Sequence, residues 1–121
     1  LLEAYQLDTS KTAYRQAAQA LFDYVLGRNA TDYSFVTGYG SKTPMNIHHR
    51  PSGGDGIAAP IPGFIVGGPH PDHSGDCSNY PSPLPAKSFV DDQCSYSTNE
   101  IAINWNAPLV YISAALQVLA P

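Results

Sequence analysis

The glycine and proline residues of this 121-residue chain are distributed very unevenly, and this constrains its fold more than any other feature. All ten glycines lie between Gly27 and Gly75, and nine of the eleven prolines lie between Pro44 and Pro85. Both residue types interrupt helices and mark turns. The pattern therefore predicts two helical ends and a long irregular middle.

A first helix is predicted over residues 11–26, where apolar side chains recur at helical spacing. Asp8, Thr9 and Ser10 precede it and offer side-chain oxygens for its N-cap. Gly27 follows it, in the position where glycine commonly ends a helix. We therefore expect one amphipathic helix near the start of the chain.

A last helix is predicted over residues 107–119, where another apolar stripe recurs at helical spacing. Asn106 is its candidate N-cap, and Pro108 is compatible with a helix only near the first turn. Residues 98–103 are predicted to form a separate helical turn that carries Glu100.

The irregular middle suits a part of a protein better than a self-contained domain. Residues 35–37 and 64–66 are candidates for short strands, but the stretch shows no sustained helical or strand period. A structureless segment of this length is uncommon inside a compact domain. Two helices cannot bury their apolar faces alone, so we expect a fragment of a larger, all-α protein whose long loop forms a functional surface.

Composition excludes two classes of partner and suits a buried position. The net charge is −4 and there is no basic block, so nucleic acid is not an expected partner. No apolar run is long enough to cross a bilayer, so a membrane is not expected either. Only 13% of the residues are charged, which fits a chain buried in something larger.

Two cysteines, Cys77 and Cys94, lie in the irregular region. A disulfide between them would stabilise the loop by about 3 kcal/mol in the chain-entropy description. Two unpaired thiols and a metal pair are the alternatives. A disulfide would indicate an oxidising compartment, so that the protein would be secreted, periplasmic or at the cell surface.

The first polar cluster in the loop contains His48, His49 and Arg50, preceded by Asn46. Two imidazoles and a guanidinium suit hydrogen bonding to sugar hydroxyls or to a neighbouring carboxylate. A solvated loop and a metal site made by the two histidines are the alternatives.

A second polar cluster has residue types that bind zinc or calcium. Its spacing matches no compact cysteine–histidine motif, and an ordinary polar loop is the alternative reading. Its members are His70, Asp72, His73, Asp76 and Cys77.

An acidic group formed by Asp91, Asp92 and Glu100 lies beside Tyr96 and Trp105. Acids gather at helix N-termini for electrostatic reasons, which accounts for Asp91 and Asp92. Glu100 lies between amides and apolar residues, where burial would disfavour its charged form. A carboxyl that stays protonated is the proton donor that glycoside hydrolysis requires, together with a second carboxylate.

Two stretches resemble the signatures of glycoside hydrolase family 9, the family of inverting cellulases built on an (α/α)6 barrel. Residues 34–50 read SFVTGYGSKTPMNIHHR and resemble its first signature. Residues 89–107 read FVDDQCSYSTNEIAINWNA and match every fixed position of its second signature. Residues 23–29 and 63–69 are also similar to the family. The resemblance implies the C-terminal part of such a barrel, with a long irregular region between two helices.

The resemblance implies a role for each matched residue. Glu100 corresponds to the general acid, and Asp91 corresponds to an active-site aspartate with a supporting role. His48 and Arg50 correspond to the pair that contacts the sugar beside the scissile bond, and His48 is counted with the catalytic residues. Tyr96 and Asn99 are expected near the acid, and Tyr96 is also expected to bind substrate.

The catalytic base of the family is missing from this chain. The family takes it from an Asp-x-x-Asp pair near the start of the domain, whereas Asp91 and Asp92 are adjacent and belong to the second signature. Residues 1–121 are therefore predicted to be a C-terminal fragment of a family 9 catalytic domain, inactive alone. Its expected partners are the N-terminal remainder of that domain and a β-1,4-glucan such as cellulose.

Residues 71–86 resemble an insertion that a Cys77–Cys94 bridge would hold near the cleft.

The resemblance implies no cofactor for the chemistry and no metal among the site residues, and it allows a structural calcium ion in the intact domain.

Two rival functions stay open. One is a non-catalytic glucan-binding module, which would use a platform made by His48, Arg50, Tyr96 and Trp105. Such modules are normally β-sandwiches, and the helical ends argue against this. The other is a metal-stabilised scaffold, which would use His70, His73 and Cys77.

Overall fold

A computed structural model describes residues 1–72 and 75–119 of the chain. Within these residues the secondary structure is helical, and β-pairing is limited to three isolated bridges. The described residues form five α-helices: α1 Leu2–Leu7, α2 Thr12–Val25, α3 Arg50–Gly54, α4 Tyr96–Asn99 and α5 Ile103–Val118. A 3-10 helix at Pro85–Lys87 lies between α3 and α4.

Helix α2 confirms the predicted first helix, but its predicted N-cap is wrong. The N-cap residue is Lys11, which makes no side-chain capping hydrogen bond. The Asp8 carboxylate instead accepts hydrogen bonds from the Ser10 amide at 3.1 Å and the Ser10 hydroxyl at 2.6 Å. These bonds close the turn between α1 and α2. Gly27 follows the helix with a φ of 115°, a left-handed conformation that glycine adopts without a steric penalty.

Helix α5 begins at Ile103, earlier than predicted, so Asn106 is not its cap. Asn106 lies inside the helix, where its Nδ2 donates to the Ala102 carbonyl at 2.8 Å. Its Oδ1 accepts from the Ile65 amide at 3.1 Å, which ties α5 to the irregular middle. Pro108 consequently lies further from the helix start than predicted. Because proline has no N–H group, α5 lacks one backbone hydrogen bond at this position.

The predicted helical turn carrying Glu100 is also wrong. Helix α4 ends at Asn99, and Glu100 has extended backbone angles, φ −74° and ψ 152°. Glu100 pairs with His48 in a parallel bridge, and Ile101 pairs with Val66 in an antiparallel bridge. Because these distant partners satisfy the backbone, the link between α4 and α5 is extended rather than helical.

The two candidate strands do lie side by side, although each contributes only one bridging residue. Val36 and Ile65 form an antiparallel bridge. The Thr37 amide donates to the Phe64 carbonyl at 2.8 Å, and the Val66 amide donates to the Phe35 carbonyl at 2.9 Å. The pairing joins the two halves of the irregular middle.

Two apolar clusters form the core. One lies between α1, α2 and α5, and its buried members are Leu2, Ala18, Ala115 and Leu116. The other lies under the irregular middle, and its buried members are Phe35, Ile47, Val66 and Phe89. The second cluster supports the loop segments that carry the candidate site.

Helix α5 leaves much of its apolar surface uncovered. Ile103, Val110 and Val118 are 89%, 69% and 80% exposed, and Leu21 on α2 is 60% exposed. A helix that is apolar on all sides is normally buried in a larger structure. Among the helices that the structure describes, none is long and apolar enough to cross a membrane.

Candidate active site

The residues of the two signature stretches meet where His48 lies beside Glu100. Their backbones form a parallel bridge, in which the His48 amide donates to the Asn99 carbonyl at 2.8 Å. The sequence separates these residues widely, whereas the fold places them on adjacent extended segments. An imidazole and a carboxyl are thereby brought to one surface.

Asp91 holds this junction together. Its Oδ2 accepts from the Met45 amide at 2.8 Å, and its Oδ1 accepts from the Asn46 amide at 2.9 Å. Oδ1 also accepts from Nδ2 of Asn99 at 3.1 Å. Asn99 is fully buried, and its Nδ2 also donates to the Asn46 carbonyl at 2.7 Å. Both Asp91 oxygens are therefore used to join the two signature segments.

We expect Asp91→Asn to destabilise the complete catalytic domain by about 2 kcal/mol, because an amide cannot accept at both of its ends. The change would lower the urea midpoint with an unchanged slope. Asp32→Asn is the matched control. Asp32 is exposed and has a φ of 56°, a conformation that asparagine tolerates. Equal midpoints for Asp91→Asn and wild type would contradict this role.

The tautomer of His48 is set by a main-chain carbonyl. Its Nδ1 lies 2.6 Å from the Gln93 carbonyl oxygen. A carbonyl can only accept, so Nδ1 carries the hydrogen and Nε2 is the acceptor of the neutral ring. The half-buried His48 ring and the Tyr96 ring form a T-shaped contact with a centroid distance of 6.1 Å, and Tyr96 is 47% exposed. Nε2 can therefore accept a hydrogen bond from a hydroxyl group.

His49 faces a different environment from His48. Its Nδ1 lies 2.9 Å from the Ser52 hydroxyl, and its ring packs against Phe64 at 5.2 Å. Successive side chains of an extended segment point in opposite directions, which explains the divergence. The two imidazoles do not converge on one point as ligands of a shared metal would.

Arg50 begins α3 and is exposed. Within residues 1–72 and 75–119 its guanidinium makes no hydrogen bond or ion pair. Helix α3 is packed closely against Gln93, since a Cβ on Gly53 would collide with the Gln93 side-chain amide. Because the Arg50 guanidinium is exposed and has no partner among the described residues, it can donate hydrogen bonds to a ligand.

Glu100 is exposed in this structure. The expectation that Glu100 is buried is therefore not met within this chain. The extended link between α4 and α5 pairs through its backbone, and the Glu100 side chain takes no part in the bridges. The nearby residues Asn99 and Thr98 are fully buried instead. Withdrawal of Glu100 from water therefore requires further protein or a bound substrate.

The predicted disulfide between Cys77 and Cys94 is present, with the Cα atoms 5.6 Å apart. Together with Asp92, the two sulfurs form a close group of atoms that ordinarily ligate metals. Since the sulfurs are bonded to each other, neither is a thiolate and neither is available to a metal. A scaffold that uses Cys77 as a metal ligand does not fit this structure.

The second polar cluster is occupied by hydrogen bonds where it is described. His70 accepts from the Asp72 amide at 3.1 Å. Asp76 accepts from the Cys77 and Ser97 amides, both at 2.8 Å. His73 lies outside the described residues.

Sequence reasoning missed Gln93 and the structural role of Asp76. Gln93 acts through its main-chain carbonyl, which no side-chain pattern reveals. Asp76 was included only as a metal ligand, and its contact with the Ser97 amide depends on the path of the loop.

An all-α scaffold whose loop carries an exposed carboxyl at Glu100, an imidazole at His48 and an exposed guanidinium at Arg50 has features of a carbohydrate-active enzyme. The chain belongs to glycosyl hydrolase family 9, whose family model matches residues 1–113. The family and its solved members confirm an all-α chain that forms a C-terminal part of an (α/α)6 barrel.

Individual relatives agree with this assignment. The chain is 50% identical over 120 residues to a xyloglucan-specific endo-beta-1,4-glucanase of Bacteroides ovatus, covering 99% of this chain and 20% of the relative. It is 48% identical over 101 residues to endoglucanase D of Acetivibrio thermocellus, covering 84% of this chain and 14% of the relative. This chain thus spans about a fifth or less of the length of these relatives.

Solved structures give the same result. A Bacteroides ovatus family 9 protein matches with a TM-score of 0.85 and 46% identity, over 99% of this chain and 20% of that one. A metagenome-derived family 9 endoglucanase matches with a TM-score of 0.82 and 39% identity, over 93% of this chain and 20% of that one.

Proposed function

We propose that this chain supplies the acid half of the active site of an inverting endo-β-1,4-glucanase. The observation that carries the proposal is the parallel bridge between His48 and Glu100, which joins the two segments expected to bind and to protonate the substrate. The whole catalytic domain would hydrolyse β-1,4-glucosidic bonds in cellulose and cello-oligosaccharides.

Glu100 is the proposed general acid, which protonates the oxygen of the leaving sugar. His48 accepts a hydroxyl hydrogen at Nε2, and Arg50 donates to sugar oxygens beside the scissile bond. The exposed ring of Tyr96 offers an apolar face on which a pyranose can stack. Asp91 supports the site through the hydrogen bonds that it accepts, and not by reacting itself.

The catalytic base belongs to the remainder of the domain in this proposal. Both Asp91 oxygens are engaged, and Asp92 accepts from the Cys94 amide at 3.0 Å and from the Asn79 amide group at 3.2 Å. Neither acid is free to activate water. An inverting enzyme holds its base about 6.5–9.5 Å from its acid, with room for water between them.

The partner that completes the site is the N-terminal remainder of the same catalytic domain. It would cover the exposed apolar faces of α2 and α5 and withdraw Glu100 from water. An apolar groove of about 360 Å³ between these helices, lined by residues that include Leu21, Trp105 and Ile112, offers part of the contact surface. We propose that residues 1–121 are an incomplete domain for this reason.

The names of the relatives support the proposed substrate class. They include a xyloglucan-specific endo-beta-1,4-glucanase, an endoglucanase and a cellodextrinase, and a β-1,4-linked glucan is the substrate we propose here. The disulfide supports a secreted, periplasmic or cell-surface location. The chemistry needs two carboxyl groups and water and no cofactor. A structural calcium ion remains a prediction for the intact domain.

The stereochemistry of the products tests this proposal. We expect the complete catalytic domain to release the α-anomer first from a β-1,4-linked cello-oligosaccharide, because water attacks from the face opposite the leaving group. Proton NMR during the first minutes of reaction, before mutarotation, measures the anomer. A known retaining glucanase under the same conditions is the control. Initial release of the β-anomer would contradict an inverting pair.

A further inference from the structure

The segment between α3 and α4 is joined to α4 by a set of contacts to which the proposed chemistry assigns no role. The Asp76 carboxylate accepts from the Ser97 amide in α4 at 2.8 Å. It also accepts from the Tyr80 hydroxyl at 2.8 Å, and the Tyr80 oxygen lies 2.7 Å from the Ser95 hydroxyl. A disulfide joins Cys77, the next residue after Asp76, to Cys94, the residue before Ser95.

The direction of these hydrogen bonds follows from the carboxylate at their end. A carboxylate only accepts, so the Tyr80 hydroxyl must use its hydrogen on Asp76. Ser95 must then donate to the Tyr80 oxygen, and Thr98, whose hydroxyl lies 2.5 Å from that of Ser95, must donate to Ser95. Ser95 and Thr98 are fully buried, so the charge of Asp76 orders a buried row of hydroxyl groups.

The same contacts reach the proposed acid through one short helix. Helix α4 is held at Ser97 by Asp76, while Asn99 at its other end binds Asp91 and Asn46. Glu100 is the next residue after Asn99 and makes the bridge to His48. A displacement of α4 would therefore move Glu100 relative to the sugar-binding residues.

We propose that Asp76, Tyr80 and the Cys77–Cys94 disulfide form a clamp on α4 that positions Glu100 for catalysis. This inference rests on the proposed function of Glu100. Asp76 is a positioning residue in this scheme, because it acts through α4 and does not touch the substrate.

The charge state of Asp76 fits this role. Burial raises the pKa of its carboxyl, but hydrogen bonds from Ser97, Tyr80 and Cys77 outweigh it and hold the pKa below the ordinary value. Because the pKa of Asp76 is lower in the folded than in the unfolded chain, its carboxylate stabilises the fold at every pH above the unfolded pKa. This stabilisation is lost as the pH falls through the folded pKa. Asp76 therefore remains charged into the acidic range.

The test uses the complete catalytic domain and the variant Asp76→Asn. We expect kcat on a soluble β-1,4-glucan to fall about tenfold with KM within about twofold, because small misplacement of a catalytic group slows the reaction more than it weakens binding. Hydrogen exchange at the Ser97 and Asn99 amides should accelerate by about tenfold. Asp8→Asn is the matched control, since Asp8 also accepts two hydrogen bonds in a turn but lies far along the chain from α4.

Reduction provides an independent test of the covalent part of the clamp. Dithiothreitol, a dithiol, would reduce the Cys77–Cys94 disulfide to two thiols while it is itself oxidised to a cyclic disulfide, and we expect the kcat of the wild type to fall. The double variant Cys77→Ser, Cys94→Ser should have this lower kcat from the start and not respond to the reductant.

If Asp76→Asn fails to fold, Tyr80→Phe decides the question, because it removes only the hydroxyl group between Asp76 and Ser95.

The two proposals fail in distinguishable ways. An unchanged kcat in Asp76→Asn or Tyr80→Phe, or unchanged exchange at Ser97, would overturn the clamp while leaving the glucanase in place. Equal losses in the Asp8→Asn control would also overturn it. A wild-type domain without glucanase activity would refute the proposed function, and amide exchange would still report whether Asp76 holds α4.

Discussion

Glu100→Gln in the complete catalytic domain is expected to lower kcat on a β-1,4-glucan by about 10³-fold, within the range that general acid catalysis contributes. Glutamine has nearly the shape of glutamate but has no carboxyl proton to give to the leaving oxygen. The backbone of Glu100 makes the bridge to His48, so the substitution should leave the fold intact. KM should change little, because the proton is transferred in the transition state.

A matched substitution elsewhere controls for the lost charge. Glu3 is exposed in the first turn of α1, so Glu3→Gln should leave kcat unchanged. The pH–rate profile adds a second readout, since removal of the acid should abolish the fall in rate on the alkaline side. Substantial activity in Glu100→Gln with that alkaline limb unchanged would refute the assignment.

The isolated 121-residue chain is expected to release no reducing sugar from carboxymethylcellulose. The oxygens of Asp91 and Asp92 are used in hydrogen bonds, so no acid next to Glu100 in the second signature is free to act as the base. The exposed apolar residues of α5 also leave the chain without the surface that would close over Glu100. Loss of general base catalysis alone accounts for about 10²–10⁴-fold.

Co-expression with the remainder of the catalytic domain provides the positive control. The combined pieces should regain activity, because the uncovered faces of α2 and α5 would be buried by their natural partner. Glu100→Gln in the co-expressed pair should abolish that gain, which excludes a contaminating hydrolase. Hydrolysis by the purified chain alone, at a rate near that of the complete domain, would show that a base is present within residues 1–121.

Local sequence patterns predicted α2 well, because local chemistry decides where this helix ends, whereas α3 at Arg50–Gly54 lies in the stretch predicted to be irregular. Gly27 ends α2 because a left-handed residue is needed there, and glycine signals that need directly. The start of α5 was mispredicted because Asn106, a common capping residue, instead uses its side chain to bind the distant Ile65 amide. Nothing near Asn106 in the sequence indicates that contact.

The conformation of Glu100 shows the same limit. Its neighbours favour a helical turn, but pairing with His48 gives it an extended backbone. The partner comes from the first signature, so the outcome depends on how two distant segments meet. Resemblance to a family could identify both residues, whereas only the fold reveals that they pair in a parallel bridge, through the hydrogen bond from the His48 amide to the Asn99 carbonyl.

The supporting contacts of the site were the least predictable part. Asp91 could be named from the signature, but its two accepted amides at Met45 and Asn46 require the folded loop. Gln93 orients His48 through a carbonyl that every residue possesses. Asp76 lies in a segment that resembles an insertion, so the family pattern says nothing about it.

The role of Glu100 as proton donor is tested most directly by comparing two leaving groups on the same sugar. A dinitrophenolate departs without protonation, whereas the hydroxyl of a second sugar requires it. Glu100→Gln should therefore reduce hydrolysis of a cello-oligosaccharide by about 10³-fold and that of 2,4-dinitrophenyl β-cellobioside by less than about tenfold. Equal losses on the two substrates would contradict the assignment of Glu100 as the general acid.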